Sequence, residues 1–215
     1  MNSFLVIGAG RMGSRLAEQL MLEGNEVMLL DRNEDKAQKL ADVVTAVKIG
    51  DCTDMDTLRE IGVNNFDYCI VCISKDFEAS MMITAVLKEL GAQKVVARAS
   101  SNFHARLLKK IGADEVIFPE QEVADHLAVR YTRNRILDYF KLTEDYQIME
   151  VEVPYSWVGK TVGELQVRSR YGINIIGIRS EKGFDPVIDV NDSFGEKQTL
   201  IVGGTEKQLR KIYGN

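Results

Sequence analysis

Short apolar runs alternate with longer stretches of helical spacing through the first half of the chain. Ser3–Ile7, Glu26–Asp31, Ala46–Ile49, Tyr68–Ile73, Lys94–Arg98 and Glu115–Phe118 are rich in β-branched and apolar residues and are predicted strands. Between them, Met12–Leu22, Asn33–Val43, Asp54–Ile61, Phe77–Leu90 and Phe103–Ile111 are predicted helices, with Leu16 and Leu20 one turn apart on the first. Asn33 is placed to cap its helix, and Gly24, Gly91 and Gly112 stand where helices end. Strands that are nearly wholly apolar and separated by helices imply a parallel sheet covered on both faces. The fold class expected for residues 1–119 is α/β, a Rossmann-type doubly wound parallel sheet.

The rhythm then changes. Glu120 to about Phe140 reads as one helix that leaves the sheet, with Val123, Leu127, Tyr131 and Leu137 on its apolar side, and Leu142–Tyr146 as a polar connector. Residues 120–146 are thus expected to form a crossover helix and linker. After them Gln147–Val153, Thr161–Gln166, Ile173–Arg179, Pro186–Val190 and Thr199–Val202 read as strand, short helix and further strands, closed by a helix at Glu206–Tyr213. Residues 147–215 are expected to be a small α+β domain, which pairing with a copy of itself would help to bury a core.

Composition narrows the function classes. Hydrophobic residues make up 45% and charged residues 27% of 215, enough to build an ordinary globular core. The net charge of −5, with no basic block, opposes a nucleic-acid face, which needs clustered Lys and Arg. The apolar runs fall far short of the roughly 20 residues that cross a bilayer, and the start MNSFLVIGAG lacks a charged leader region, so a cytoplasmic location is expected. Cys69 and Cys72 fall on opposite faces of one predicted strand, which suits buried reduced thiols better than a metal clamp.

The chemistry concentrates in Phe4–Ile7 followed by Gly8-Ala9-Gly10-Arg11-Met12-Gly13 and then a helix. The pattern GxGxxG is weak alone but has the required strand before and helix after. Gly8 permits the tight turn, Gly10 lets backbone approach phosphate oxygens, and Gly13 permits close helix–strand packing, while the helix start offers free N–H groups. Asp31, at the end of the second strand, is placed to accept from ribose hydroxyls. Neighbouring Arg32 could serve a 2′-phosphate, stack on adenine or simply be solvated. Asp51, after the third strand, could meet an adenine amine, although an ordinary turn aspartate reads identically. Arg11 adds a guanidinium where phosphates would lie, tilting the site towards an extra or terminal phosphate; a solvated surface arginine is the alternative.

VIGAGRMG, GDCTD, VVARASSNFHARLLKKIGADEVIFPE and LQVRSRYGINIIGI together resemble the Trk/Ktr potassium-transport regulatory proteins, the RCK or KTN family, over essentially the whole chain. The resemblance implies a Rossmann-like domain that binds an adenine nucleotide (ATP, ADP, AMP or NAD(H)). It also implies a C-terminal domain that helps to assemble homodimers into a ring, an octamer in the family, beneath a membrane potassium pore. Carried over by position, it implies phosphate contact by Arg11, with ribose and adenine contacts by Asp31, Arg32, Asn33, Asp51 and Cys52. Loop contacts follow from Ile73, Ser74 and Lys75, and others from Arg98, Ala99 and Ser100, with a phosphate contact by His104. Glu120 stands where relatives ligate a divalent cation; read alone, it is a carboxylate favourable to a helix start. Lys75 departs from the family pattern, which commonly has an uncharged residue there. Some relatives bind cyclic diadenylate through an arginine and two apolar residues; Arg168 and Val162 match, but Gly163 does not.

The rival reading is an NAD-dependent oxidoreductase, which needs an acid–base residue and substrate-orienting groups opposite the nicotinamide. The only histidines are His104 and His126, and the tail has none. A redox-sensing transcriptional regulator is opposed by the acidic balance. The expectation is a regulatory protein and not an enzyme.

Overall fold

The computed structural model describes residues 1–132 and 136–213. In the first half β1 (Ser3–Ile7), α1 (Arg11–Leu22), β2 (Glu26–Asp31), α2 (Glu34–Gln38), β3 (Ala46–Ile49) and α3 (Met55–Ile61) lead into β4 (Tyr68–Val71), α4 (Phe77–Glu89), β5 (Val95–Arg98), α5 (Asn102–Ile111) and β6 (Glu115–Ile117). The six strands lie in the order β3-β2-β1-β4-β5-β6. Every neighbouring pair is parallel, from Ser3 opposite Glu26 to Arg98 opposite Ile117. The order reverses between β1 and β4, the point at which open α/β sheets present a ligand crevice beyond the strands' carboxyl ends.

Alternation along each strand divides the core in two. Leu5, Ile7, Cys69 and Val71 pack into one layer, and Phe4, Val6, Ile70 and Cys72 into the other. Cys69 and Cys72 therefore do lie on opposite faces. Both are free and buried, as is Cys52, and burial pushes each of the three thiols up to about 12. Asn33 caps α2, its side chain accepting from Lys36 N–H at 3.0 Å. Helix α2 ends at Gln38, short of the expected Val43, and the chain continues through turns such as Leu40 N–H to Ala37 at 3.0 Å.

The chain separates into two compact units, Met1–Gln121 and Glu122–Asn215. The second half contains α6 (Pro119–Thr132), β7 (Ile136–Lys141), β8 (Tyr146–Glu152), α7 (Val162–Leu165), α8 (Val167–Tyr171), β9 (Asn174–Ser180), β10 (Gly183–Asp185), β11 (Thr199–Thr205) and α9 (Glu206–Tyr213). Its sheet has the order β10-β9-β11-β8-β7 with antiparallel neighbours, so this half is α+β as expected. Trp157, Phe194, Met149, Ile173 and Leu200 are among the buried centre of its core.

The expected helix from Glu120 to Phe140 is corrected here. Helix α6 is described as far as Thr132, the expected helix over 133–135 lies outside the described residues, and Ile136–Lys141 is an edge strand paired with β8. Burying Ile136 in the second core and pairing its backbone outweigh continuing an exposed helix. Leu142–Tyr146 is consequently a hairpin turn, with Leu142 and Thr143 N–H donating to the Tyr146 carbonyl at 2.9 and 3.1 Å. Pro186–Val190 is also no strand; β10 lies just before it, where Phe184 covers Gly177 so closely that an added Cβ would meet the ring at 2.0 Å. The helix expected at Thr161–Gln166 breaks at Gln166, whose φ of 47° is left-handed, and a second short helix, α8, follows.

Candidate functional site

The predicted contact residues of the first unit gather at one rim. They follow the carboxyl ends of β1 (Gly8 to Gly13), β2 (Asp31 to Asn33), β3 (Asp51, Cys52), β4 (Ile73 to Lys75), β5 (Arg98 to Ser100) and β6 (Glu120). His104, on the first turn of α5, stands behind this rim.

At the switch point the glycines have the expected geometry. Gly8 has φ 104°, and its N–H donates to the Leu30 carbonyl at 2.8 Å. A Cβ on Gly13 would lie 1.9 Å from the Gly8 carbonyl oxygen and 3.2 Å from Cys72 Cβ, so only glycine lets α1 approach this turn. A Cβ on Gly10 would have nothing within 4 Å, which leaves open space over the start of α1. No side chain caps that start and no acidic residue occupies the first turn. The orphan N–H groups and the helix dipole of this 12-residue helix suit an anion, and Arg11 is exposed beside them with Met12 half-buried. The residues present therefore fit a phosphate group.

Asp31 holds the turn in place. It is 9% exposed; one carboxylate oxygen accepts from Ala9 N–H at 2.5 Å and the other from Asn33 N–H at 2.8 Å. These bonds fasten the glycine turn to the end of β2, and each oxygen keeps a lone pair for a ribose hydroxyl. Arg32 and Asn33 are exposed beyond it. Asp51 is exposed and accepts from Thr53 N–H at 2.9 Å and Thr53 Oγ1 at 2.7 Å, bonds that lower its carboxyl below the ordinary range. Cys52 turns inwards, its Sγ 3.9 Å from the Leu30 carbonyl, so its side chain belongs to the core and its main chain to the rim.

Beyond β4, Ile73 packs on the core beside Gly8, while Ser74 is half-buried and Lys75 exposed. Ala99 is fully buried and Ser100 exposed. Arg98 is paired with Glu120, its side chain only 15% exposed and its Nε buried without a hydrogen bond. Among the described residues no group of three His, Cys, Asp or Glu side chains could hold a metal ion. Within one copy of the chain Glu120 forms a charge pair with Arg98 and offers a single carboxylate, so the cation role that the resemblance implies would need further ligands from outside this copy.

His104 is enclosed by its neighbours. Its ring is fully buried, with Nδ1 3.2 Å from both the N–H and Oγ of Ser100, and burial lowers its pKa. A buried neutral imidazole presents no charge to a phosphate, so the contact that the resemblance implies would require the ring to become exposed.

A second concavity, which sequence reasoning touched only through Val162, Gly163 and Arg168, lies wholly within the second unit. It has a volume of about 650 Å³ and includes Val162, Gly163, Arg168, Ile173, Ile175, Ile188 and Val190 in its lining. Gly163 fails the apolar pattern for a steric reason, since a Cβ there would come 3.0 Å from the Val190 carbonyl oxygen.

A six-stranded doubly wound sheet with an uncapped glycine turn and a second strand ending in a buried aspartate defines a protein of the Rossmann-type fold class. The family models for the TrkA-N domain and the TrkA-C domain match residues 4–119 and 148–214. The chain is 38% identical over 211 residues to Ktr system potassium uptake protein C of Bacillus subtilis (strain 168), covering 97% of this chain and 95% of that protein. It is 31% identical over 209 residues to Ktr system potassium uptake protein A of the same organism, covering 97% and 94%. The chain belongs to the family of proteins that join a TrkA-N to a TrkA-C domain. Its fold also matches a structure described as the GsuK channel bound to NAD, with a TM-score of 0.69 and 22% identity over the whole of this chain and 40% of that one. Among the described residues no helix is long and apolar enough to cross a membrane.

Proposed function

We propose that this chain is a cytosolic regulatory subunit that binds an adenine nucleotide at the carboxyl edge of its parallel sheet and thereby biases a separate, membrane-embedded potassium-conducting protein. The observation that carries this reading is the uncapped start of α1, open over Gly10, with Arg11 beside it and Asp31 fixing the turn. The Ktr uptake relatives support the potassium context, and the NAD recorded for the channel of like fold supports the ligand class. The output is conformational: a ligand shifts a gate only by its differential affinity for two arrangements of the assembly. A triphosphate offers Arg11 a charge that a monophosphate lacks.

Calorimetry with ATP, ADP, AMP and NADH tests the site, and binding to none of them below millimolar concentration overturns the reading. Deleting the protein is expected to change potassium uptake, and steady NADH consumption with a small substrate would point to the oxidoreductase instead. Helix α6 buries no side chain, and Val123, Leu127 and Tyr131 are 57%, 36% and 74% exposed. That apolar side supports packing against a second copy and, through dimers, a ring. A monomer by light scattering at tens of micromolar contradicts the assembly.

A second reading concerns the concavity of the second unit. Arg168 among Ile173, Ile175 and Ile188 offers one cation and apolar walls, a combination suited to cyclic diadenylate. Titration with that ligand, and loss of the signal in Arg168→Ala, tests it.

A further inference from the structure

Two polar atoms near the first unit's rim are buried without hydrogen-bond partners on neighbouring helices. They are Nε2 of His104 on α5 and Oγ of Ser80 on α4. Native folds leave few such atoms, and each one retained calls for a reason other than packing. For His104 the reason lies on the other side of its ring. Nδ1 is 3.2 Å from the Ser100 N–H, a donor, so Nδ1 accepts and the proton resides on Nε2. The same Nδ1 is 3.2 Å from Ser100 Oγ. The ring also packs on Phe77, the first residue of α4, with centroids 4.6 Å apart and planes at 50°. The His104 main chain is itself fixed, its N–H donating to Ser101 Oγ at 3.1 Å.

One side chain thus ties together two stretches of the rim. Ser100 closes the turn after β5, next to Arg98, and Phe77 opens the helix that follows the Ile73 to Lys75 loop. A leucine of similar size would remove the unpaired Nε2 but would leave the Ser100 N–H without its acceptor. We infer that His104 is a positioning residue for nucleotide binding: in its Nε2–H form it fixes the Ser100 turn through Nδ1 and braces that turn against the start of α4, without touching the ligand. The inference rests on the nucleotide reading given above and specifies how that site is held in shape.

Asparagine and glutamine separate this role from mere filling of the core. The Oδ1 of His104→Asn stands where Nδ1 is and can accept from Ser100, whereas the amide of His104→Gln stands at the place of Nε2 and cannot. The full-length chain is compared in three forms, by ADP calorimetry, thermal midpoint and hydrogen exchange at the Ser100 amide. Glutamine is expected to weaken ADP binding about five- to tenfold, the scale of one neutral hydrogen bond, and to speed Ser100 exchange in the ligand-free protein. Asparagine, which keeps the acceptor but not the ring on Phe77, is expected to lose clearly less than glutamine in both. Equal losses in the two variants, or unchanged binding and exchange in glutamine, overturn the inference while leaving the nucleotide site intact. A wild-type chain that binds no ADP overturns the nucleotide reading instead. Should a variant fail to fold, the wild-type imidazole decides: nitrogen NMR must find His104 Nδ1 unprotonated and Nε2 protonated, and the opposite tautomer overturns the inference. With His126 as the only other histidine, that assignment needs few controls.

Discussion

Asp31→Asn tests the geometry of the site most directly, because it changes charge and donor pattern at nearly constant volume. In the native protein both carboxylate oxygens accept from backbone, Ala9 N–H at 2.5 Å and Asn33 N–H at 2.8 Å, in a residue 9% exposed. Hydrogen bonds to charged groups contribute about 1.5–3 kcal/mol each. An amide can satisfy one of these N–H groups with its oxygen but turns its own NH2 towards the other. At least one charge-assisted bond is lost, and the buried Ala9 or its neighbour is left facing a donor, so the expected destabilisation is about 2–4 kcal/mol. For a chain of this size that lowers the thermal midpoint by on the order of 5–15 °C. Differential scanning calorimetry of the ligand-free protein measures it, and ADP titration below the lowered midpoint measures the site separately. A midpoint within a degree or two of wild type would falsify the clamp between the glycine turn and β2. Lost ADP binding at an unchanged midpoint would assign Asp31 to ribose alone.

Gly13→Ala forces a Cβ to within 1.9 Å of the Gly8 carbonyl oxygen, so α1 must move off the turn; a loss of about 3 kcal/mol or more, read by urea unfolding, is expected, and a neutral result contradicts the packing. Arg11→Ala should weaken ATP binding more than AMP binding, on the scale of a charge-assisted pair at about 1.5–3 kcal/mol, and equal losses place Arg11 away from the terminal phosphates. Burial holds His104 below its ordinary 6.5, so its contribution to stability is fully present above that pH. Below it the unfolded chain takes up a proton that the native imidazole resists, and stability falls as pH drops towards the native pKa. Urea midpoints between pH 7.5 and 5.5 should therefore decline less steeply in His104→Asn than in wild type, and identical slopes contradict the buried neutral form.

The parallel sheet was legible because its strands are nearly all apolar and its helices carry their own punctuation. Asn33 caps where a cap was expected, and Gly24, Gly91 and Gly112 take the positive φ that helix ends require. The edge strand Ile136–Lys141 was not, since Val123, Leu127, Tyr131 and Leu137 sustain a helical period into the strand, and only the partner strand β8 decides otherwise. Gln166 carries no signal for its left-handed φ, and the hydrogen bonds of Asp51 and Asp31 to nearby backbone follow from turns that no single residue type announces. The burial of His104 was illegible for a related reason. Resemblance places a residue along the chain, but burial depends on how α4 and α5 pack, and here packing puts the ring behind the loop.

On the proposed reading, a nucleotide held at this rim would drive a partner only through contacts that differ between two arrangements of the protein. The centre of the sheet is a poor source of such a difference: Leu5, Ile7, Leu30 and Val71 are fully buried, and close-packed interiors resist small continuous shifts. Arg98 is better placed. It is held by Glu120 with its Nε unpaired, and a phosphate oxygen reaching that guanidinium competes with the carboxylate for the same donors. Glu120 is the second residue of α6, a helix that buries no side chain of its own and so resists displacement less than its neighbours in the sheet. A ligand long enough to engage Arg98 and one too short to do so would then differ in what they ask of the start of α6, and that difference is the free energy available to a gate.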